Sequence, residues 1–448
     1  MRSSILAALL LAILASPALA DDPRLATFEA DLTPPLGQPI YSSYQPLATI
    51  EHPLLAKGIV LESAGTRYVL CAIDWCTLSN GTYRRFREEL AAGAGTTPSR
   101  VAVHTVHQHT APMGDAEAFE MLAALDNPPN HPRGVFFNEA ADRLGQIVAR
   151  AADRLEPFDR LGIGSARVRE VAATRRVIDA DGRLRIRWSR CTDPALRAEP
   201  EGKIDPMLKT TTFARGTKPL VRLHYYTTHP QSFYGDPRAS YDFPGMARQR
   251  LQREEDVPQV YFTGCSGDVT AGKYNDGSPE ARDRLAEQLY QGMKASIEAT
   301  RFEPAAEIGW RVEPVRLPPR TEPSHSADAM RAVMLDTNQN DAMRIRAARR
   351  ITFIERADRP IELSALRMGS LRLLHLPGES MVEFQLYAQR LLPEALVATA
   401  AYGDDGPAYI CTKESFAQGG YEPSASNVAP ESEEILKQAI RRVLEIQQ

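Results

Sequence analysis

Apolar runs of strand length recur along this chain: 67–74 (RYVLCAID), 101–106 (VAVHTV), 160–168, 220–227 (LVRLHYYT), 259–264 (QVYFTG), 308–317, 365–376 (ALRMGSLRLLHL) and 395–402 (ALVATAAY). Several are continuously apolar rather than alternating, which suits strands covered on both faces. Between them lie amphipathic stretches at 83–92, 135–154, 243–254, 279–298, 326–351, 380–391 and 431–447. In NEAADRLGQIVARAADRL, the residues Ala141, Leu144, Ile147, Val148, Ala151 and Leu155 fall on one helical face. Strands alternating with helices predict an α/β protein of layered, mixed β-sheets flanked by helices. Met368-Gly369-Ser370 reads as a tight turn between neighbouring strands. There is no visible internal repeat. The stretch 318–330 is the only soft joint, so residues 21–448 read as a single domain.

The first twenty residues stand apart. Arg2 is followed by an apolar stretch over 5–15 and by Ala18-Leu19-Ala20. That is the pattern of a secretory signal peptide cut after Ala20, which predicts a periplasmic or secreted product. No later segment offers the roughly 18 apolar residues of a membrane span. Net charge is −4 with both signs mixed, which excludes the basic stripe of a nucleic-acid binder. No obligate protein partner is evident. Cys71, Cys76, Cys191, Cys265 and Cys411 are too sparse for a disulfide scaffold and lack zinc-finger spacing. Cys71 and Cys76 flank a strand end and should point to opposite faces.

Candidate chemistry is concentrated in a few loops. HTVHQHTAPMGD (104–115) holds three of the chain's nine histidines. Strand alternation would put His107 and His109 on one side, with Gln108 on the other and His104 bonded elsewhere. Such a pair either binds a metal or simply hydrogen-bonds in a polar loop. His229 sits where a strand meets Pro230, a place where functional groups gather in α/β proteins. Downstream, Asp242 is placed to cap a helix entered at Pro244. YFTGCSGDVTAG runs from a strand into a loop carrying Asp268 and three glycines, a tight turn or an approach for backbone amides to an anion. Glu379 follows a Pro-Gly turn and precedes a helix, either as a helix-dipole partner or as a third metal ligand. Tyr409 and Tyr421 lie in a glycine-rich, loop-like stretch.

In this order the segments resemble the neutral (non-lysosomal) ceramidase family. Its HTHSGPGG is matched by HQHTAPMG (107–114), its VHPTS by THPQS (228–232), and its GDVSP by GDVTA (267–271). Its PGE is matched by Pro377-Gly378-Glu379, and its YVTTxEEYxxxxYEGAST by YICTKESFAQGGYEPSAS (409–426). The opening DLTPPLGQPIYSSY is similar to the family's DITGP…GY. The resemblance implies a ceramidase-like catalytic domain and a zinc amidase, with Zn2+ held by His107, His229, Glu379 and Tyr409. It places His109 beside the metal as proton carrier, Tyr421 on the substrate carbonyl, and Asp268 and Thr270 in a functional loop. Arg175 is the expected substrate-contacting arginine. The chain reads as a short member that lacks the family's C-terminal β-sandwich domain. The expected substrate is a small-molecule or lipid N-acyl compound, ceramide or ceramide-like, cleaved by zinc-activated water. The alternatives are a metal-dependent esterase or deacetylase acting on a carbohydrate or other small acyl compound, and a non-catalytic binding protein with a vestigial metal site. HQHTAPMG and YEPSAS depart from the family around the pocket entrance, which points to an altered substrate.

Overall fold

The computed structural model describes residues 23–41, 44–233 and 235–445; the segment 1–20, where a signal peptide is expected, lies outside the described residues. Three main sheets carry the fold, and one connection pattern builds each of them. In the first, β1 (Arg24–Asp31), β2 (Leu55–Ser63) and β3 (Thr66–Ile73) form an antiparallel meander. Helix α1 (Asn80–Ala94) then crosses over to β4 (Val101–Thr105), which pairs parallel with β3, and α2 (Gly134–Ala152) returns. The second repeats this order with β5 (Arg160–Arg167), β6 (Met207–Arg215), β7 (Lys218–Tyr226), α3 (Asp242–Glu255), β8 (Gln259–Thr263) and α4 (Pro279–Glu298). The third repeats it again with β9 (Gly309–Val315), β10 (Ile361–Met368), β11 (Leu371–His375), α5 (Val382–Leu391), β12 (Leu396–Ala400) and α6 (Ser432–Val443). The architecture is therefore a threefold repetition that the sequence does not display. Topology repeats where residue identity does not, because each unit needs only strand-length apolar runs and an amphipathic crossover of matching size.

Each helix pair packs on its own sheet, the first helix against the parallel pair and the second against the opening strands. The parallel pairs turn inward. β8 is buried at every position and touches β2, β3 and β4 of the first sheet and β12 of the third. The loops leaving the C-terminal ends of the parallel strands thereby converge on one place, as in other α/β proteins.

The expected strands and helices are present with small shifts of boundary, and the turn at Gly369-Ser370 joins β10 to β11. The 326–351 stretch is two helices, Ala327–Leu335 and Asp341–Glu355. The polar run 336–340 interrupts them, and the Asn340 side chain caps the second by accepting from the Met343 N–H. The stretch 318–330 is tied down rather than loose: Pro319 bridges to Val428. β6 (MLKTTTFAR) was not anticipated, because its three threonines read as polar. All three are buried; Thr210 hydrogen-bonds His224 and Ser296, and Thr212 accepts from Arg222. All five cysteines are buried and unbridged. Among the described residues no helix is long and apolar enough to cross a membrane.

One buried ion pair ties the first unit to the second. Arg248 of α3 donates from both Nη atoms to the two Asp74 oxygens at 2.8 Å, and Asp74 also accepts from the Leu55 N–H. Asp74→Ala leaves the guanidinium buried without a counter-charge and should lower unfolding free energy by about 3–5 kcal/mol. Urea denaturation measures that loss, which a similar change at an exposed pair such as Arg84–Glu88 should not produce.

Candidate metal centre

Each of the three units delivers one side chain to the point of convergence. His107 follows β4, His229 follows β7 and Glu379 follows β11. His107 does not sit in strand geometry as expected. β4 ends at Thr105, and His107 adopts a left-handed backbone with φ +70°, its N–H bonded to the Trp75 carbonyl. Such a conformation is costly for a residue with a Cβ. It turns the imidazole into the site rather than along the sheet. His104 stays behind in β4 and bonds the Ala401 carbonyl at 2.7 Å. His229 continues from β7 through a backbone bridge to Thr270. Glu379 is set by the turn at Gly378, whose φ is +59°, and by parallel pairing with Tyr409.

The helix-dipole reading of Glu379 fails on geometry. The first N–H of α5, that of Val382, goes to Asp268 Oδ1 at 2.8 Å, while Glu379 faces the histidines. Its Oε2 lies 3.2 Å from His107 Nε2 and 3.4 Å from His229 Nε2, and those two nitrogens are 3.0 Å apart. On the far side of each ring, His107 Nδ1 meets the Cys76 carbonyl and His229 Nδ1 the Ser266 carbonyl, both at 2.8 Å. A carbonyl can only accept, so each Nδ1 carries the proton and each Nε2 presents a lone pair. Two lone pairs and a carboxylate oxygen thus face one another inside the protein, and Glu379 Oε2 is a buried atom without a hydrogen-bond partner.

That arrangement is repulsive unless a cation occupies its centre. Donor atoms about 2.05 Å from a tetrahedral zinc ion stand roughly 3.3 Å apart, and the three separations here bracket that value. Histidine ligands ordinarily donate their second N–H to a carbonyl, as both rings do. The donor set fits a divalent metal. A second grouping, Cys76 with His107 and His109, shares His107. Burial pushes the Cys76 thiol well up, so it stays protonated and is a poor ligand.

Electrostatics agree with this division. Burial, then the Arg175 charge, pushes His229 down to about 3, so its ring is neutral. Burial and the two neighbouring imidazoles push His109 well below the usual range. The neighbours fix the geometry. The Tyr402 ring stacks on His107 at 4.1 Å, and its hydroxyl meets Ser266 Oγ at 2.6 Å. His109 lies with its ring 5.0 Å from that of His107 and 5.0 Å from Tyr41.

Tyr409 and Tyr421 adjoin the cluster, ring to ring at 5.5 Å. The Tyr409 hydroxyl accepts from Arg175 at 3.1 Å. Arg175 is buried behind both tyrosines and does not line the pocket. Asp268 and Thr270 are held apart from the donors. Asp268 caps α5, and its carbonyl accepts from the Arg175 N–H; Thr270 pairs with Ala173 and bridges to His229. The glycines of this loop serve close packing rather than anion binding: a Cβ on Gly267 would lie 2.4 Å from the Glu379 carbonyl oxygen. Asp242 lies inside the first turn of α3 rather than before it, its carboxylate accepting from Ser232 and from the Phe243 N–H.

A pocket of about 230 Å3 opens above Glu379, Tyr409 and Tyr421. Its other walls were missed in the sequence: Tyr41, Tyr44, Arg346, Arg349 and Asp405. Burial and the Glu379 charge push the Asp405 carboxyl up to about 7, against the pull of Arg349. The adjacent acids in AYGDDGPAY were the available signal for Asp405. Nothing local marked the arginines, which lie on an ordinary amphipathic helix.

No family model and no curated protein matches the chain. Solved structures do. The neutral ceramidase from Pseudomonas aeruginosa superposes with a TM-score of 0.70, over 95% of this chain and 75% of that one, at 18% identity. This chain has the fold of a neutral ceramidase. A second structure with that fold, a ceramidase complexed with C2, gives a TM-score of 0.68 over 95% of this chain and 76% of its own, at 16% identity. The neutral-ceramidase fold thus spans the three units described above.

Zinc added to the metal-free protein should raise its unfolding midpoint, because the ion binds only the folded arrangement. Scanning calorimetry should find the rise in the wild type and its loss in Glu379→Gln. An equal rise in both would place the metal elsewhere.

Proposed function

We propose that this protein is an exported, zinc-dependent amidohydrolase that cleaves a linear amide bond of an N-acyl compound with water. One observation carries the reading: two imidazole lone pairs and an ionised carboxylate oxygen, 3.0 to 3.4 Å apart, beneath a pocket. The likeness in fold to neutral ceramidases supports the same chemistry, and the leader-like segment at 1–20 supports export.

His107 Nε2, His229 Nε2 and Glu379 Oε2 would hold the zinc, with Tyr409 as the fourth protein ligand. When bound, zinc supplies Lewis acidity that polarises a carbonyl and acidifies water. His109, neutral at physiological pH, takes a proton from the attacking water and delivers it to the departing nitrogen. The carbon–nitrogen bond breaks, a carbon–oxygen bond forms, and the products are a carboxylate and an amine. Tyr421, its phenol kept protonated by burial, donates to the carbonyl oxygen as negative charge develops there. Arg175 orients Tyr409 through their hydrogen bond, and Asp268 and Thr270 position the backbone that carries His229 and α5.

His107→Ala and Glu379→Ala should lose both bound zinc and hydrolysis, as read by metal analysis and by an amine-release assay over acyl amides and acyl esters. Tyr421→Phe should keep about one zinc per chain while kcat falls roughly 100- to 1,000-fold, the usual cost of an oxyanion donor. A full zinc complement with no turnover on any amide or ester would refute the enzyme reading. Preference for esters would redirect it to an esterase. Amino-terminal sequencing of the exported protein should begin at Asp21.

A further inference from the structure

The pocket above Glu379 is lined by tyrosines, charged groups and short side chains rather than by long or branched aliphatic ones. Its apolar lining is Met113 with Ala342, Ala408 and Ala425 and the rings of four tyrosines; no leucine, isoleucine, valine or phenylalanine contributes among the described residues. Its volume of about 230 Å3 lies below the roughly 300–1,000 Å3 usual for drug-sized ligands. A long aliphatic chain gains about 0.8 kcal/mol per methylene only where apolar wall takes the place of water. Here that wall is confined to one methionine, three alanines and the tyrosine rings.

Two arginines enter from one side. Arg346 and Arg349 lie three residues apart on the helix Asp341–Glu355 and so share a face. Arg349 is turned to the wall, donating to Ser79 Oγ at 2.7 Å and to Thr77 Oγ1 and Asp405 Oδ2 at 3.2 Å. Arg346 is exposed on the pocket wall and makes no hydrogen bond or ion pair among the described residues. Neither pocket acid pairs with it: Glu379 faces the histidines and Asp405 pairs with Arg349. An unpartnered surface arginine is ordinarily just solvated. This one faces the reaction site.

We propose that the substrate is a small amide bearing an oxyanion, a carboxylate or a phosphate monoester, which Arg346 binds while the amide lies over His107, His229 and Glu379. The proposal rests on the amidohydrolase reading and names its substrate class. A planar guanidinium pairs with either oxyanion through two parallel hydrogen bonds, and the excess positive charge of a metal-loaded pocket favours both. A neutral two-chain lipid offers Arg346 nothing to pair with.

Matched probes test this on the zinc-loaded protein: N-hexanoyl-glycine, N-hexanoyl-ethanolamine phosphate and the neutral N-hexanoyl-glycinamide. At least one anionic amide should exceed the neutral one in kcat/KM by about tenfold or more, and the better of the two identifies the oxyanion. Arg346→Gln should lower that ratio about 10- to 100-fold, mainly through KM, with Arg346→Lys recovering part of it. Arg346→Glu should turn preference toward an N-hexanoyl diamine. Titration calorimetry on metal-free protein supplies a readout independent of turnover: the anionic probes should bind more tightly than the neutral one, and Arg346→Gln should abolish the difference. Equal kcat/KM for all probes, or a ratio unchanged in Arg346→Gln, overturns the proposal while leaving the hydrolase reading intact. If no probe is hydrolysed with zinc bound, the hydrolase reading fails, and the calorimetric preference alone decides for or against an oxyanion site at Arg346.

Discussion

Two imidazole nitrogens and a carboxylate oxygen, each with its lone pairs turned toward the others, are the interaction around which this protein is organised. Water cannot relieve the arrangement, since His107 and His229 are almost completely buried. Protonation is opposed at His229 by burial and by the Arg175 charge. A divalent cation resolves the conflict, turning mutual repulsion into shared attraction. The surrounding contacts then make sense together. The Cys76 and Ser266 carbonyls hold each Nδ1, and Tyr402 stacks on His107, so neither ring can turn its lone pair away.

The threefold topology explains how three residues far apart in the chain reach that point. Each unit ends its inner parallel pair facing the same centre, and each contributes one donor from the loop just beyond a strand. Strained backbone marks these exits. His107 and Tyr402 both take positive φ without being glycine, each two residues beyond the end of a buried strand. The surrounding layers bear that cost. The Arg248–Asp74 pair and the burial of β8 against strands of all three sheets hold the units in register.

Chemistry and selectivity come from different parts of this frame. The candidate metal donors belong to the strand exits, which are fixed by the sheets. The pocket walls belong to peripheral pieces: the segment around Tyr41 and Tyr44, the helix bearing Arg346 and Arg349, and the loop before Tyr409. Those pieces can vary while the centre is kept. A fold shared at 18% identity with a neutral ceramidase therefore does not by itself fix the polarity of this pocket.

The sequence by itself determined the α/β class and most strands and helices, and it singled out the three residues that the fold brings together as candidate donors. Apolar runs of strand length and amphipathic crossovers are local patterns, and His107, His229 and Glu379 lie beside turn residues legible in one dimension. It did not disclose the strand Met207–Arg215, whose threonines are satisfied by partners on other elements, nor the break at 336–340. The threefold repetition stayed hidden because topology constrains length and polarity, not residue identity. Only the tertiary structure decided that Asp268 caps a helix while Glu379 faces the histidines, that Arg175 stands behind Tyr409, and that Arg346 looks into the pocket. Those assignments depend on which surfaces meet when the three sheets close on one another, and no local pattern in the chain encodes that meeting.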